Sequence, residues 1–216
     1  RGATTVLHLG NKAHKGVGLK ERPVLDRQIN LSQIHRHNTA CPDVCVADFR
    51  IPHLPARQSC IAANRIYIQE CIYDRLVAVL SEKIKELKVG DGLGDGVDIG
   101  PLIDEAAAES VCSMIEDATA KGAEVVLGGG RSELGGSFVE PTILSGVNSG
   151  MRVFREEIFG PVSPLVSFST EEDAIAMAND TEFGLAAYFC ARDVGRVWRV
   201  SEGLEYGIIG VNVVAR

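Results

Sequence analysis

The chain contains no run of about 18 apolar residues, so no membrane-spanning helix is expected. No charged-then-apolar leader opens it, so a secreted product is not expected. Histidine is missing beyond His53: all five (His8, His14, His35, His37 and His53) precede residue 60. Methionine is scarce and first occurs at Met114. With Arg1 at its head, the chain is expected to be a fragment, a processed product or an incomplete reading frame. There is no internal repeat and no low-complexity tract. What is present is ordinary for a globular protein, with 45% hydrophobic and 24% charged residues. That excludes a wholly disordered, collagen-like or small disulfide-scaffold chain. A length of 216 residues allows one large α/β domain, or a domain plus an appendage. It suffices to bury a sizeable core.

The formal charge of −7 is unevenly spread. Residues 1–59 carry nine Lys/Arg and four Asp/Glu, a net of +5, whereas residues 60–216 have a net of −12. Two segments of different character are expected. The acidic total argues against a binder of nucleic-acid phosphates. Of the cysteines Cys41, Cys45, Cys60, Cys71, Cys112 and Cys190, only the first two are close together. Free thiols in a reducing compartment are the expectation.

Residues 1–57 show no sustained period and are punctuated by Pro23, Pro42, Pro52 and Pro55. An irregular segment is expected there, with a short strand at Val6–Leu9. From residue 58 the pattern is regular. Arg65–Gln69 reads as a strand. Glu70–Leu87 reads as a helix with Ile72, Leu76, Leu80, Ile84 and Leu87 in one stripe. A Gly/Asp loop over 89–100 precedes a second helix, Asp104–Lys121, whose inward face is Val111, Met114, Ile115 and Ala118 and whose stop is Gly122. Strands are predicted at Glu124–Leu127, Pro161–Phe168, Ala186–Cys190 and Gly207–Val213, with extended chain at Ser137–Leu144. Helices are predicted at Glu171–Asn179, opened by a Ser169-x-x-Glu172 capping box, and at Asp193–Glu205. The alternation predicts an α/β fold: a mostly parallel sheet with helices on both faces, preceded by the irregular N-terminal segment.

Periodicity carries no function, but six motifs do. They are QSCIAANRIYIQ (58–69), KVGDGLGDGVDIGPLI (88–103), VEPT (139–142), REEIFGP (155–161), NDTEFGLA (179–186) and GIIGVN (207–212). In this order and spacing they resemble the catalytic domain of the aldehyde dehydrogenase superfamily. Within it, the stretches around 90–103 and 182–212 are most similar to succinate-semialdehyde dehydrogenases. The resemblance implies that residues 58–216 are that domain, cut short at its C-terminal end. It implies oxidation of an aldehyde to its acid with NAD or NADP. Cys60 then matches the nucleophile, whose thiolate gives a thiohemiacetal and then a thioester, with its own backbone N–H helping to hold the oxyanion. Without that context a free cysteine reads as a small buried hydrophobe. Glu157 matches the carboxylate that binds the nicotinamide-ribose hydroxyls, and Phe159 the ring beside the nicotinamide. Their residue types alone read as a solvated glutamate and a core phenylalanine. Asn212 matches a structural support near the active site, or simply ends a strand in a turn. Arg50, ten residues before Cys60, is the candidate anchor for the distal carboxylate of a semialdehyde. The resemblance further implies a homo-oligomeric parent acting on a small aldehyde, cytoplasmic or mitochondrial, with no nucleic-acid or membrane partner.

The departures also carry expectations. Where the family has glycine before the Gln-x-Cys step, this chain has Arg57. No Glu-Leu-Gly-Gly stretch, which holds the family's deacylating base, occurs in residues 1–59. The asparagine that completes the oxyanion hole and the nucleotide-binding domain are absent too. Ala62 stands where some semialdehyde dehydrogenases have a second, redox-active cysteine. The chain alone is therefore expected to turn over little or no aldehyde. The alternative is a non-catalytic module that pairs with a full-length homologue. No metal site is expected. His35, His37, Cys41 and Cys45 have the residue types for zinc but no standard spacing. Asp91, Asp95 and Asp98 lack the pattern of a calcium loop. Gly128–Gly130 lacks a phosphate-loop sequel and reads as a surface turn.

Overall fold

The computed structural model describes residues 5–9, 28–29, 49–50 and 58–212. The main sheet has seven strands: β1 (Thr5–Leu9), β4 (Ala63–Gln69), β5 (Glu124–Leu127), β6 (Thr142–Ser145), β7 (Val162–Phe168), β8 (Ala186–Cys190) and β9 (Ile208–Val211). Their spatial order is β5-β6-β7-β4-β1-β8-β9. The strands β6, β7, β4, β8 and β9 run one way, and β5 and β1 run against them. The sheet is thus mostly parallel, as the alternation predicts. β2 (Gln28–Ile29) and β3 (Phe49–Arg50) form a separate two-stranded ribbon. The short strand predicted at Val6–Leu9 exists as β1, and it lies inside the main sheet, between β4 and β8.

Strand alternation explains the two cores. On β4, Ile66 and Ile68 face one side while Tyr67 faces the other. On β8, Ala186, Tyr188 and Cys190 share the first side, and Ala187 and Phe189 the second. The first side is covered by helix α1 (Tyr73–Lys85), entered through a 3₁₀ turn at Glu70–Ile72. Its predicted stripe of Ile72, Leu76, Leu80 and Ile84 is buried, and Leu87 packs beside it. Each such side chain contributes about 1.5–3 kcal/mol relative to leaving it in water. The second side takes α2 (Glu105–Ala120), α3 (Arg152–Arg155), α4 (Glu171–Asn179) and α5 (Val194–Gly203). Val111, Met114, Ile115 and Ala118 of α2 are all buried there. Asp104 caps α2 by accepting the Ala107 N–H at 2.7 Å, and Gly122 ends it with φ of 97°.

Two expectations are corrected. The capping box of α4 starts one residue later than Ser169: Thr170 and Asp173 exchange hydroxyl and carboxylate bonds with each other's backbone N–H. Both frames fit the pattern, but the Asp173 carboxylate also accepts the Ser169 hydroxyl at 3.0 Å, which settles the register. The cysteines are not all thiols. Cys60, Cys112 and Cys190 are in no disulfide, whereas Cys71 is disulfide-bonded. Among the described residues no helix is long and apolar enough to cross a membrane.

Candidate active site

Cys60 lies in a turn that leads into β4. The Ala62 N–H donates to the Ser59 carbonyl at 2.9 Å, and Gln58 Nε2 donates to the Pro101 carbonyl at 3.2 Å. Gln58 and Ser59 are exposed and Cys60 is half-buried. The turn is thus anchored to the Gly/Asp loop but stays open to solvent. In that loop Asp91 and Asp98 are spent on backbone, accepting the Leu93 and Lys88 N–H groups. Among the described residues no group of three or more His, Cys, Asp or Glu is placed to hold a metal ion. The zinc candidates His35, His37, Cys41 and Cys45 lie outside the described residues.

Glu157 and Phe159 lie in the loop that leads into β7. Ile66 pairs with Leu165 in the parallel β4–β7 ladder, which sets Ala63 level with Val162. The Cys60 turn and the Glu157 loop therefore share one edge of the sheet, on adjacent strands. The loop is fixed from several directions. Asn64 Nδ2 donates to the Glu156 carbonyl at 2.9 Å, and the Ile158 N–H donates to Asn64 Oδ1 at 2.8 Å. Arg152 forks onto the Glu156 carboxylate, with Nε–Oε1 at 2.7 Å and Nη2–Oε2 at 2.9 Å. That fork holds the Glu156 carboxyl below its usual range. Arg152 also reaches Ser113 Oγ at 3.0 Å, and its own N–H donates to Asp117. At Gly160 an added Cβ would come within 2.8 Å of Val111 Cγ2, so only glycine permits this approach to α2. Ile158 is 3% exposed and points into the core, while its neighbour Phe159 is 41% exposed. Glu157 is half-buried. A fixed loop thus carries a half-buried carboxylate residue and an exposed aromatic ring.

Behind the site is a buried cation. Arg65, on β4 and 0% exposed, donates to the carbonyls of Met177, Ala178 and Asp180 at 3.3–3.4 Å. These are the last carbonyls of α4 and its cap, where a positive charge is favourable. Tyr67 and Tyr206 donate their hydroxyls to the Met177 and Ala178 carbonyls in the same cluster. The guanidinium lies 4.7 Å from the Phe154 ring centre and 5.6 Å from that of Tyr67. Burial pulls the Arg65 pKa below its usual value and pushes the Tyr67 pKa above its own. Arg155 stacks on Phe154 as well and pairs with Asp180 at 2.9 Å. β4 and α3 are thereby locked to the end of α4.

The sequence reading singled out Cys60, Glu157 and Phe159, and the structure brings them to one edge. It missed Asn64, Arg65 and Arg152. The signal for the first two was a polar Asn-Arg pair opening an otherwise apolar buried strand. Asn212 is placed elsewhere. It follows the carboxyl end of β9, the sheet edge opposite the Cys60 turn, and exchanges two bonds with the Ala191 backbone at 2.9 and 3.0 Å. With φ of 56° it ties two strand ends together. Arg50 lies in β3 opposite Gln28; its side chain, and all of Arg57, lie outside the described residues.

Comparison with known proteins defines the class. Residues 54–216 match the aldehyde dehydrogenase family, and the chain belongs to it. The match begins four residues after Arg50. Among individual relatives, the chain is 55% identical over 155 residues to the mitochondrial succinate-semialdehyde dehydrogenase of Oryza sativa subsp. japonica, covering 72% of this chain and 29% of that protein. It is 55% identical over 157 residues to the NADP(+) succinate-semialdehyde dehydrogenase of Escherichia coli, covering 73% and 33%. A crystal structure of succinate-semialdehyde dehydrogenase from Burkholderia pseudomallei superposes with a TM-score of 0.71 at 49% identity, covering 74% of this chain and 33% of that one. The chain spans about a third of the length of the curated relatives it matches.

Proposed function

We propose that this chain is the cysteine-bearing part of an NAD(P)-dependent aldehyde dehydrogenase that oxidises a carboxylate-bearing aldehyde, succinate semialdehyde first among them. The observation that carries this reading is the adjacency of the Cys60 turn and the Glu157–Phe159 loop at the head of neighbouring parallel strands. The Cys60 thiolate attacks the carbonyl carbon. A C–S bond forms, and the negative charge passes to the carbonyl oxygen, next to the Cys60 backbone N–H. The exposed Phe159 ring and the Glu157 carboxylate suit the nicotinamide–ribose half of the cofactor: a flat apolar face beside an acceptor of two hydroxyl bonds. NAD or NADP, when bound there, supplies the hydride acceptor. Arg50 is our candidate for the distal carboxylate, which a guanidinium holds bidentately.

The family resemblance puts the deacylating base and most of the nucleotide site in stretches this chain does not contain. The chain is therefore expected to form the Cys60 adduct but not to turn over. We place the intact protein in the cytoplasm or mitochondrion as a homo-oligomer, not secreted. Two measurements test the reading. Succinate semialdehyde should slow alkylation of Cys60 by iodoacetamide, read by peptide mass spectrometry, and more strongly than propanal does. Replacing Arg50 by leucine should erase the difference between the two aldehydes. In parallel, aldehyde-dependent NAD(P)H production should be absent. Sustained production would overturn the expected inactivity. Alkylation indifferent to any aldehyde would leave the non-catalytic module that pairs with a full-length homologue.

A further inference from the structure

Asn64 is four residues beyond Cys60, 5% exposed, and near the start of β4. Its amide group bonds the backbone on both sides of Glu157: it accepts from the Ile158 N–H and donates to the Glu156 carbonyl, across 94 and 92 residues of chain. That bracket leaves Glu157 as the one residue between the two held peptide groups. The chemistry of the position is restrictive. A carboxylate offers no donor, and a serine hydroxyl is one short atom that cannot span both groups; an amide has a donor and an acceptor fixed side by side. The Glu156 side chain is held separately by the Arg152 fork. The side chains of Ile158 and Phe159 then alternate, one anchored in the core and the other turned outward.

We propose that Asn64 is a positioning residue that sets Glu157 and Phe159 relative to the Cys60 turn, so that the nucleophile and the cofactor contacts are held in one frame. The proposal rests on the reading of Glu157 and Phe159 as nicotinamide–ribose contacts. Sites of this kind gain from side chains held by their own hydrogen-bonded supports, since small displacements weaken the contacts they make.

The test uses the whole 216-residue chain and nicotinamide mononucleotide as the probe, with binding followed by saturation-transfer NMR. Asn64→Ala should weaken the mononucleotide by at least about tenfold, comparable to Glu157→Ala. Amide exchange should quicken at Ile158 while the β4 and β7 ladder amides and the Cys60 alkylation rate stay as in the parent chain. Asn64→Ser, which keeps one of the two bonds, should lie between and covers the case in which the alanine variant does not fold. Unchanged mononucleotide affinity in either folded variant, with Glu157→Ala losing it, overturns the role of Asn64 alone. A parent chain that does not bind the mononucleotide overturns the cofactor reading and the positioning role with it. Exchange quickened along all of β4 and β7, with affinity intact, shows a purely structural asparagine.

Discussion

The Cys60 turn and the Glu157 loop are neighbours at one sheet edge, yet they are held in opposite ways. Among the described residues the turn has one backbone bond across it and one side-chain bond from exposed Gln58. The loop has a two-ended amide clamp, a bidentate ion pair, and a glycine pressed against α2. An attacking group needs access to solvent and room for the substrate carbonyl. Groups that recognise a ligand by geometry gain more from being fixed in advance. Changes in the turn should therefore act on chemistry with little effect on stability, and changes in the loop should do the reverse first.

The sharpest separation comes from Cys60→Ala. It should abolish the aldehyde adduct seen by intact mass, yet shift unfolding free energy by less than about 1 kcal/mol. Next is Arg65→Met, which takes the buried cation from the α4 carbonyls and leaves them the Tyr67, Tyr206 and Arg155 donors. A loss of about 3 kcal/mol in urea unfolding is expected. A loss under about 1 kcal/mol would mean the cluster is dispensable to the frame behind the site. Gly160→Ala should cost about 1–3 kcal/mol, because Val111 must give way. The same change made in a Val111→Ala background should cost less, a coupling read from the double-mutant cycle. The smallest effect concerns pH. Glu156 is depressed in the folded state by the Arg152 fork, so its contribution is complete above the unfolded value of about 4.3 and is lost as pH falls through the lower folded value. Both partners are more than a third exposed, so about 0.2–1 kcal/mol is at stake. Acid titration should quicken amide exchange in the loop of the parent chain but not further in Arg152→Gln.

Much of this was legible in the residues. The stripe Ile72–Leu76–Leu80–Ile84 and the inward face of α2 are buried as their spacing predicts. The strands Glu124–Leu127 and Ala186–Cys190 and the helix Glu171–Asn179 match their predicted bounds. The turn of helix α3 was not legible, because four residues are too few to show a period. The placement of β1 was not either, since sequence pattern names a strand but not its partners. At the site, residue types and their resemblance to a family pointed to Cys60, Glu157 and Phe159. Asn64 stayed hidden because its partners are main-chain groups more than 90 residues away, and backbone bonds leave no mark on the residues that supply them.

The central position of β1 has a consequence for the order in which the molecule can be assembled. β1 bridges two blocks, β5-β6-β7-β4 on one flank and β8-β9 on the other, and pairs with Ala63–Tyr67 and Ala187–Cys190. A ribosome makes β1 before either flank. The first block can close on β1 once β7 has emerged, but the second flank stays open until Cys190 has left the exit tunnel. Through that interval one long edge of β1 is unpaired, a ready template for strands of other nascent chains. Seams that join strands far apart in sequence are slow to form. Assembly of this sheet is therefore set by the arrival of β8, and translation pauses upstream of Ala186 would prolong its exposure most.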